Sequence, residues 1–262
     1  MDPAELDASL DSESSMSAQT VAPSTPLLDD GKTFEREVRD LKRFDFASLD
    51  DEPDALKRLD ATAPIWVSKD RSRVLLGGEI CLREGELEFF ACRRNSKEHE
   101  SIVALDVPPH LIHAALLVIG VKQGAPAKFN PVFEPPRGDV VEIEARWRDA
   151  KSGALIKRRA QEMILENESE RTMRSNWVFA GGLFGVDPDG KKYYLANVTG
   201  EVFGVSNFPG AVLDVPFESP SDYSNLYYQA NTEAIPEIGA PVLLVLRRGE
   251  AKTIVKADTK SK

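Results

Sequence analysis

Cysteine is scarce in this chain: there are two, Cys81 and Cys92, with no CxxC spacing, so spacing alone supplies neither a zinc nor a redox motif. Histidine is limited to three residues, His99, His110 and His113. No apolar run reaches the roughly 18–20 residues that cross a bilayer, so no transmembrane segment is expected. Residues 1–31 lack Lys, Arg and any aromatic residue, and no signal-peptide core is visible. That fits a cytoplasmic chain, or one that begins after a removed secretion signal. A basic surplus is missing too. The net charge is -10, and residues 1–60 hold 16 Asp/Glu against 7 Lys/Arg, which leaves the remainder nearly neutral. A nucleic-acid partner is therefore not expected. G-x-S-x-G, P-loop, G-x-G-x-x-G and HExxH patterns are all absent.

What is present is an ordinary globular composition, 42% hydrophobic and 29% charged, long enough to bury a real core. Residues 1–31 form an acidic tail too poor in apolar surface to offset its ordering entropy, and are expected to be disordered. Residues 32–63 read as a short helical arm. Phe34, Val38 and Leu41 recur at helical spacing behind Thr33, and a second helix is expected over 52–59 with Pro53 in its first turn. The main domain is expected over 64–248, followed by a basic tail, 249–262.

Within that domain Val74, Leu76, Gly78, Ile80 and Leu82 alternate with polar neighbours, as do Leu87, Phe89 and Ala91. A two-residue turn at Glu84-Gly85 would pair Leu82 with Leu87 and Ile80 with Phe89, putting every apolar side chain on one face. That hairpin would hold the cysteines about 13 Å apart at ~3.3 Å per residue, too far for a disulfide. Next, Asp106 is placed to cap a helix with Pro108 and Pro109 in its first turn and Gly120 as its stop. Its body, LIHAALLVI, is apolar nearly all round and so expected to be buried on most sides. Strands are expected over 141–147, 155–163, 176–180, 193–196, 201–205 and 241–246, with a helix opening at Ser219-Pro220. Several hairpins, few helices and no β-α-β alternation predict an α+β fold: a mainly antiparallel β-sheet with a few packed helices.

The chemistry-bearing residues gather in 89–120. Lys97-Glu98-His99-Glu100 sets an imidazole among two carboxylates and an ammonium, which could orient it as an acid or base or join it to a metal. The plainer reading is a solvated charged turn. His110 and His113 share a face of the first helical turn, whose N-terminus disfavours imidazolium; the plainer reading makes His113 a hydrogen-bonded core residue and His110 an exposed one. Folding back of the loop would bring His99 and His113 together with Glu98 or Glu100 as a two-histidine, one-carboxylate metal set. Asn207, just after a strand, is a candidate ligand contact with a simple turn as its counterpart, and Gly181-Gly182 reads as a bulge or loop.

The strings Cys81-Leu82-Arg83-Glu84-Gly85, Lys97-Glu98-His99-Glu100, His113-Ala114-Ala115-Leu116-Leu117, Asn176 to Gly181, Val205-Ser206-Asn207-Phe208 and Thr232-Glu233 with Ile235-Pro236 resemble, in order, the YdjY-type domain of bacterial proteins, common in planctomycetes. The resemblance covers about Pro64 to Leu246. Gly204 stands where many relatives carry a cysteine. Relatives often begin with a secretion or lipoprotein signal, which implies a cell-envelope or periplasmic protein. The expected function is a binding or interaction module for an unknown protein or small-molecule partner, with Lys97, His113 and Asn207 as ligand contacts and a divalent metal as a structural component. The alternatives are a metal-dependent, hydrolase-like enzyme using Glu98, His99, Glu100 and His113, and a purely structural domain.

Overall fold

The computed structural model describes residues 44–222 and 225–250. The acidic tail, the expected helix behind Thr33 and most of the basic tail lie outside the described residues. The first strands are Leu56–Arg58 (β1), Ile65–Ser68 (β2), Arg73–Ile80 (β3), Phe89–Arg93 (β4) and Ser101–Leu105 (β5), followed by helix α1, Pro109–Val118. Then come Gln123–Ala125 (β6), Arg137–Gly138 (β7), Val140–Arg148 (β8), Leu155–Arg159 (β9), Ile164–Glu166 (β10) and Trp177–Val178 (β11). The chain continues through Phe184–Val186 (β12), Lys192–Tyr194 (β13), helix α2 (Leu195–Thr199), Glu201–Gly204 (β14), Tyr228–Ala230 (β15) and Pro241–Arg248 (β16).

Ten of these strands form one mixed, mainly antiparallel sheet whose main path runs β11-β8-β16-β3-β5-β4-β14. β16 is its axis, because PVLLVLRR can bury both faces: Val242, Leu244 and Leu246 enter the main core, and Leu243 and Val245 a smaller one. The outer edge of β3 is divided, its first half pairing β2 and its last residues pairing β5. β8 divides its outer edge likewise between β11 and β9. The two ends of the path are laced together by Val212–Asp214. Asp214 exchanges main-chain hydrogen bonds with Val178 at 2.9 and 3.1 Å, while Gly204 N–H donates to Leu213 O at 2.9 Å. The sheet thereby closes on itself and removes two exposed edges.

The smaller core is built by the arm. A 3₁₀ turn at Phe46–Leu49 buries both of its end residues on Trp66, Leu75, Leu243 and Val245. Gly77 is required beneath it, since a β-carbon there would stand 2.7 Å from the Phe46 ring. Next to it Asp50, fully buried, accepts from Arg73 and Arg146, each at 2.9 Å. Removing one partner of such an ion trio would leave a buried charge uncompensated.

Several expectations are corrected. Residues 52–59 are not a helix: Pro53–Ala55 make one 3₁₀ turn and Leu56–Arg58 then pair with β2 as a strand. Ser219 opens no helix. Its amide donates to Asn207 Oδ1 and its hydroxyl to Val205 O, and Tyr228–Ala230 pairs with β10. Asp106 caps nothing; Pro108 takes the N-cap position of α1, and Asp106 pairs with Arg94 at 2.5 Å. The helix does stop at Gly120, whose φ is +77°. It is not buried on most sides, because Leu117 and Val118 are about half exposed, at 50% and 47%.

The expected β3–β4 hairpin does not form. Gly85 turns the chain as foreseen, with φ +108°, but Leu87 N–H goes to Tyr228 O and Ala230 N–H to Gly85 O. β5 enters between β3 and β4, antiparallel to the first and parallel to the second. A period-two pattern dictates which face a side chain takes and leaves the identity of the neighbouring strand open.

Candidate functional site

The parallel β4–β5 pair needs a return connection, and residues 94–100 supply it. This crossover contains the Lys97-Glu98-His99-Glu100 string. Its bend is held by Asn95 in the left-handed region, φ +60°, whose N–H donates to Glu98 Oε1 at 3.0 Å. Ser101 Oγ donates to Lys97 O at 2.6 Å and pins the crossover onto β5.

Lys97 is the centre of the arrangement. Its ammonium lies 2.8 Å from Glu100 Oε1 and 3.8 Å from Glu88 Oε2, and 5.7 Å from the ring centres of both Phe89 and Phe208. Those two rings stack at 4.7 Å. Burial alone would lower the Lys97 pKa, but Glu100, Glu88 and Glu201 hold it above the ordinary ammonium range. Three carboxylates share this one cation. Burial, then the charge of Glu100 and a hydrogen bond with it, push Glu88 up to about 7. Glu201 is raised as well, mainly by burial. Glu88 and Glu100 thus hold one proton between them near neutrality, as close like charges must.

The other predicted residues sit as follows. His99 is at the rim, its side chain 75% exposed, with Nε2 3.5 Å from Glu100 Oε2. Asn207 is 2% exposed and its amide is engaged within the protein: it donates to Asp214 Oδ1 and Val215 O and accepts from Ser219 N–H. Burial pushes its partner Asp214 up to about 8, against three donors that favour the carboxylate.

His113 belongs to a different neighbourhood. Its Nδ1 lies 3.2 Å from both Gly181 O and the Tyr194 hydroxyl, and Tyr194 itself donates to Gly181 O at 2.9 Å. Its ring meets Phe179, Phe184 and Tyr194 edge-on at 5.0, 6.2 and 5.5 Å. Burial lowers its pKa and keeps it neutral, opposed by the bond to Gly181. His110, on the same helix, bonds Asn197 of α2 through its main-chain N–H at 3.1 Å. His99 and His113 therefore have no partner in common, and among the described residues no group of three His, Cys, Asp or Glu is arranged to hold a metal. The two-histidine, one-carboxylate set does not assemble, because the crossover and α1 present their histidines to separate surroundings.

The cysteines require the opposite correction. Because β5 displaces the hairpin register, Cys81 reaches Ser101 O at 3.0 Å and its thiol hydrogen-bonds that of Cys92.

Sequence reasoning passed over Glu88, Glu201, Asp214, Tyr194 and Phe208. The available signal was acid within apolar strands, as in Glu88-Phe89-Phe90 and Leu213-Asp214-Val215. The strings singled out in the sequence are also joined in pairs. Arg83 donates to Thr232 O and Ile235 O, Lys97 lies over Phe208, and His113 meets Gly181.

The model of the YdjY domain matches residues 65–247, most of the chain and nearly all of the described sheet. This chain belongs to the YdjY domain family. No curated protein and no solved structure matches it. In this YdjY domain the paired strings are thus first of all contacts that hold sheet, crossover and helix together.

Proposed function

We propose that this YdjY domain is a binding module of the bacterial cell envelope, and that its recognition surface is the apolar face of α1, α2 and the β12–β13 ribbon. One observation carries the reading: exposed apolar side chains concentrate there. Beside Leu117 and Val118 on α1, the ribbon exposes Leu183, Phe184 and Val186 at 42%, 63% and 62%, and α2 exposes Val198 at 71%. Phe184 packs on Tyr194 at 4.9 Å and touches His113, so helix and ribbon make one surface. Contiguous exposed apolar patches of this kind mark interaction sites.

The occupant is an extended apolar segment of a partner protein. The ribbon supports that choice, since among the described residues its two strands pair only with each other and so keep open edges that an added strand can use. His113 serves the face by supporting Phe184. The envelope location carries over from the likeness to secreted relatives.

The test is fluorescence anisotropy with a panel of labelled heptapeptides of alternating apolar residues, titrated with wild type and with Phe184→Asp. The expected result is peptide binding by wild type that weakens about tenfold or more in the variant. Equal binding to both proteins, or none to wild type, overturns the reading. A wild-type dimer that Phe184→Asp dissociates in sedimentation also overturns it, by making a second copy the occupant.

A further inference from the structure

We propose that Cys81 and Cys92 are a dithiol site that a peroxide closes to an intramolecular disulfide. The two residues are far apart in any β3–β4 hairpin and meet only because β5 separates those strands and the crossover folds over it. Cys81 stands just past the end of β3, its Sγ donating to Ser101 O at 3.0 Å and touching the Cys92 thiol. It also borders an open cleft of about 500 Å³ with Arg83, Glu84, Thr232 and Ile238, which gives a small oxidant a route from solvent. Cys92 is fully buried, so chemistry reaches it through Cys81.

The surroundings of Cys92 suit the role of resolving thiolate. The hydrogen bond from Cys81 lowers its pKa; burial opposes this, and the Ser101 hydroxyl, the Lys97 main chain and the Ser96 hydroxyl lower it further. A buried cysteine that served only as an apolar filler would be shifted upward. No further cysteine competes for either thiol, since the chain has only these two.

The chemistry balances with hydrogen peroxide as the oxidant. The Cys81 thiolate attacks one peroxide oxygen, the O–O bond breaks, and the departing hydroxide takes up the thiol proton as water. The Cys92 thiolate then attacks the sulfur of the Cys81 sulfenic acid; an S–S bond forms, the S–O bond breaks, and the second hydroxide leaves as water after taking up the Cys92 proton. Two thiols and one peroxide become one disulfide and two waters.

The experiment treats the reduced full chain with hydrogen peroxide at neutral pH, quenches it in denaturant with N-ethylmaleimide, and reads intact mass and peptides. The expected product lacks both maleimide adducts, has a mass lower by about 2 Da than the reduced chain, and yields a linked peptide containing Cys81 and Cys92. Cys81→Ser should slow loss of the remaining thiol about tenfold or more, because Cys92 is buried. Cys92→Ser should leave Cys81 as a sulfenic acid that dimedone traps. Two intact thiols after excess peroxide overturn the proposal, as does sulfinic acid at Cys81 beside an unreacted Cys92, or a disulfide between chains. The wild-type measurement decides the matter even if a variant fails to fold.

Discussion

His99 and His113 stand fourteen residues apart in the sequence and show how differently one residue type is used. His99 sits on the crossover among charges, three-quarters exposed and beside a carboxyl pair that shares a proton. His113 sits on α1 among rings, neutral, with its Nδ1 directed at a carbonyl oxygen. The pH response of the two regions has opposite sign. Glu88, raised from 4.5 to about 7, makes the folded state hold a proton that the unfolded chain has released, so stability falls as pH rises across that window. His113, lowered from 6.5, makes the folded state resist a proton that the unfolded chain accepts, so stability falls as pH drops below about 6.5. The charged region costs stability in alkali and the aromatic region costs it in acid.

The sharpest way to break the contrast is to remove the aromatic anchor. His113→Ala takes away contacts with Phe179, Phe184 and Tyr194 together with one of the two donors to Gly181 O. Urea unfolding at pH 8 should show a loss of about 2–3 kcal/mol, at the low end for a truncated ring because the side chain is only partly buried. The variant should also lose part of the wild-type decline in stability below pH 6.5. An unchanged midpoint would mean that the ring contributes no packing and that α1 is held by its other contacts.

That anchor was half legible in the sequence. The alternation of β3, β8 and β16 and the Gly120 stop followed from periodicity and turn chemistry, and all are present. His113 could be read as a core histidine, yet its partners could not, because Gly181 and Tyr194 arrive from distant strands. The insertion of β5 was invisible for a related reason. Phe89 and Ala91 have the same alternation whether they face β3 or β5, and only long-range pairing decides between them. The exposed face of α1 was misjudged because an apolar helix in a monomeric sequence reads as buried unless its partner surface is known. Glu88 and Glu201 are separated by more than a hundred residues, so no local pattern could join them to Lys97.

The charged region is tested by Glu88→Gln. Glutamine keeps the shape, can donate to Glu100 and cannot ionise, so it fixes the arrangement in its protonated form. At pH 5 the two proteins should have similar stability. At pH 8 the variant should be more stable than wild type by about 1 kcal/mol, since wild type must there either ionise Glu88 beside Glu100 or retain a proton against solvent. Thermal melts at the two pH values check this. A variant equally displaced at both would show that Glu88 is a packing residue whose charge has no partner in Glu100.

The smallest effect is expected at His99, although the sequence points to it first. A side chain 75% exposed, 3.5 Å from one carboxylate oxygen, gains little from an ion pair that water competes for and salt screens. His99→Ala should therefore change stability by no more than ~0.5 kcal/mol at any pH between 5 and 8. The argument turns on where the neighbouring charges already go. Glu100 is held by Lys97 at 2.8 Å and Glu98 accepts from the Asn95 amide, so neither depends on the imidazole for its partner. A larger loss confined to acidic pH would make protonated His99 a working member of the Glu88–Glu100 proton-sharing group, and would join the two histidine regions in their pH response, which their separate contacts otherwise keep apart.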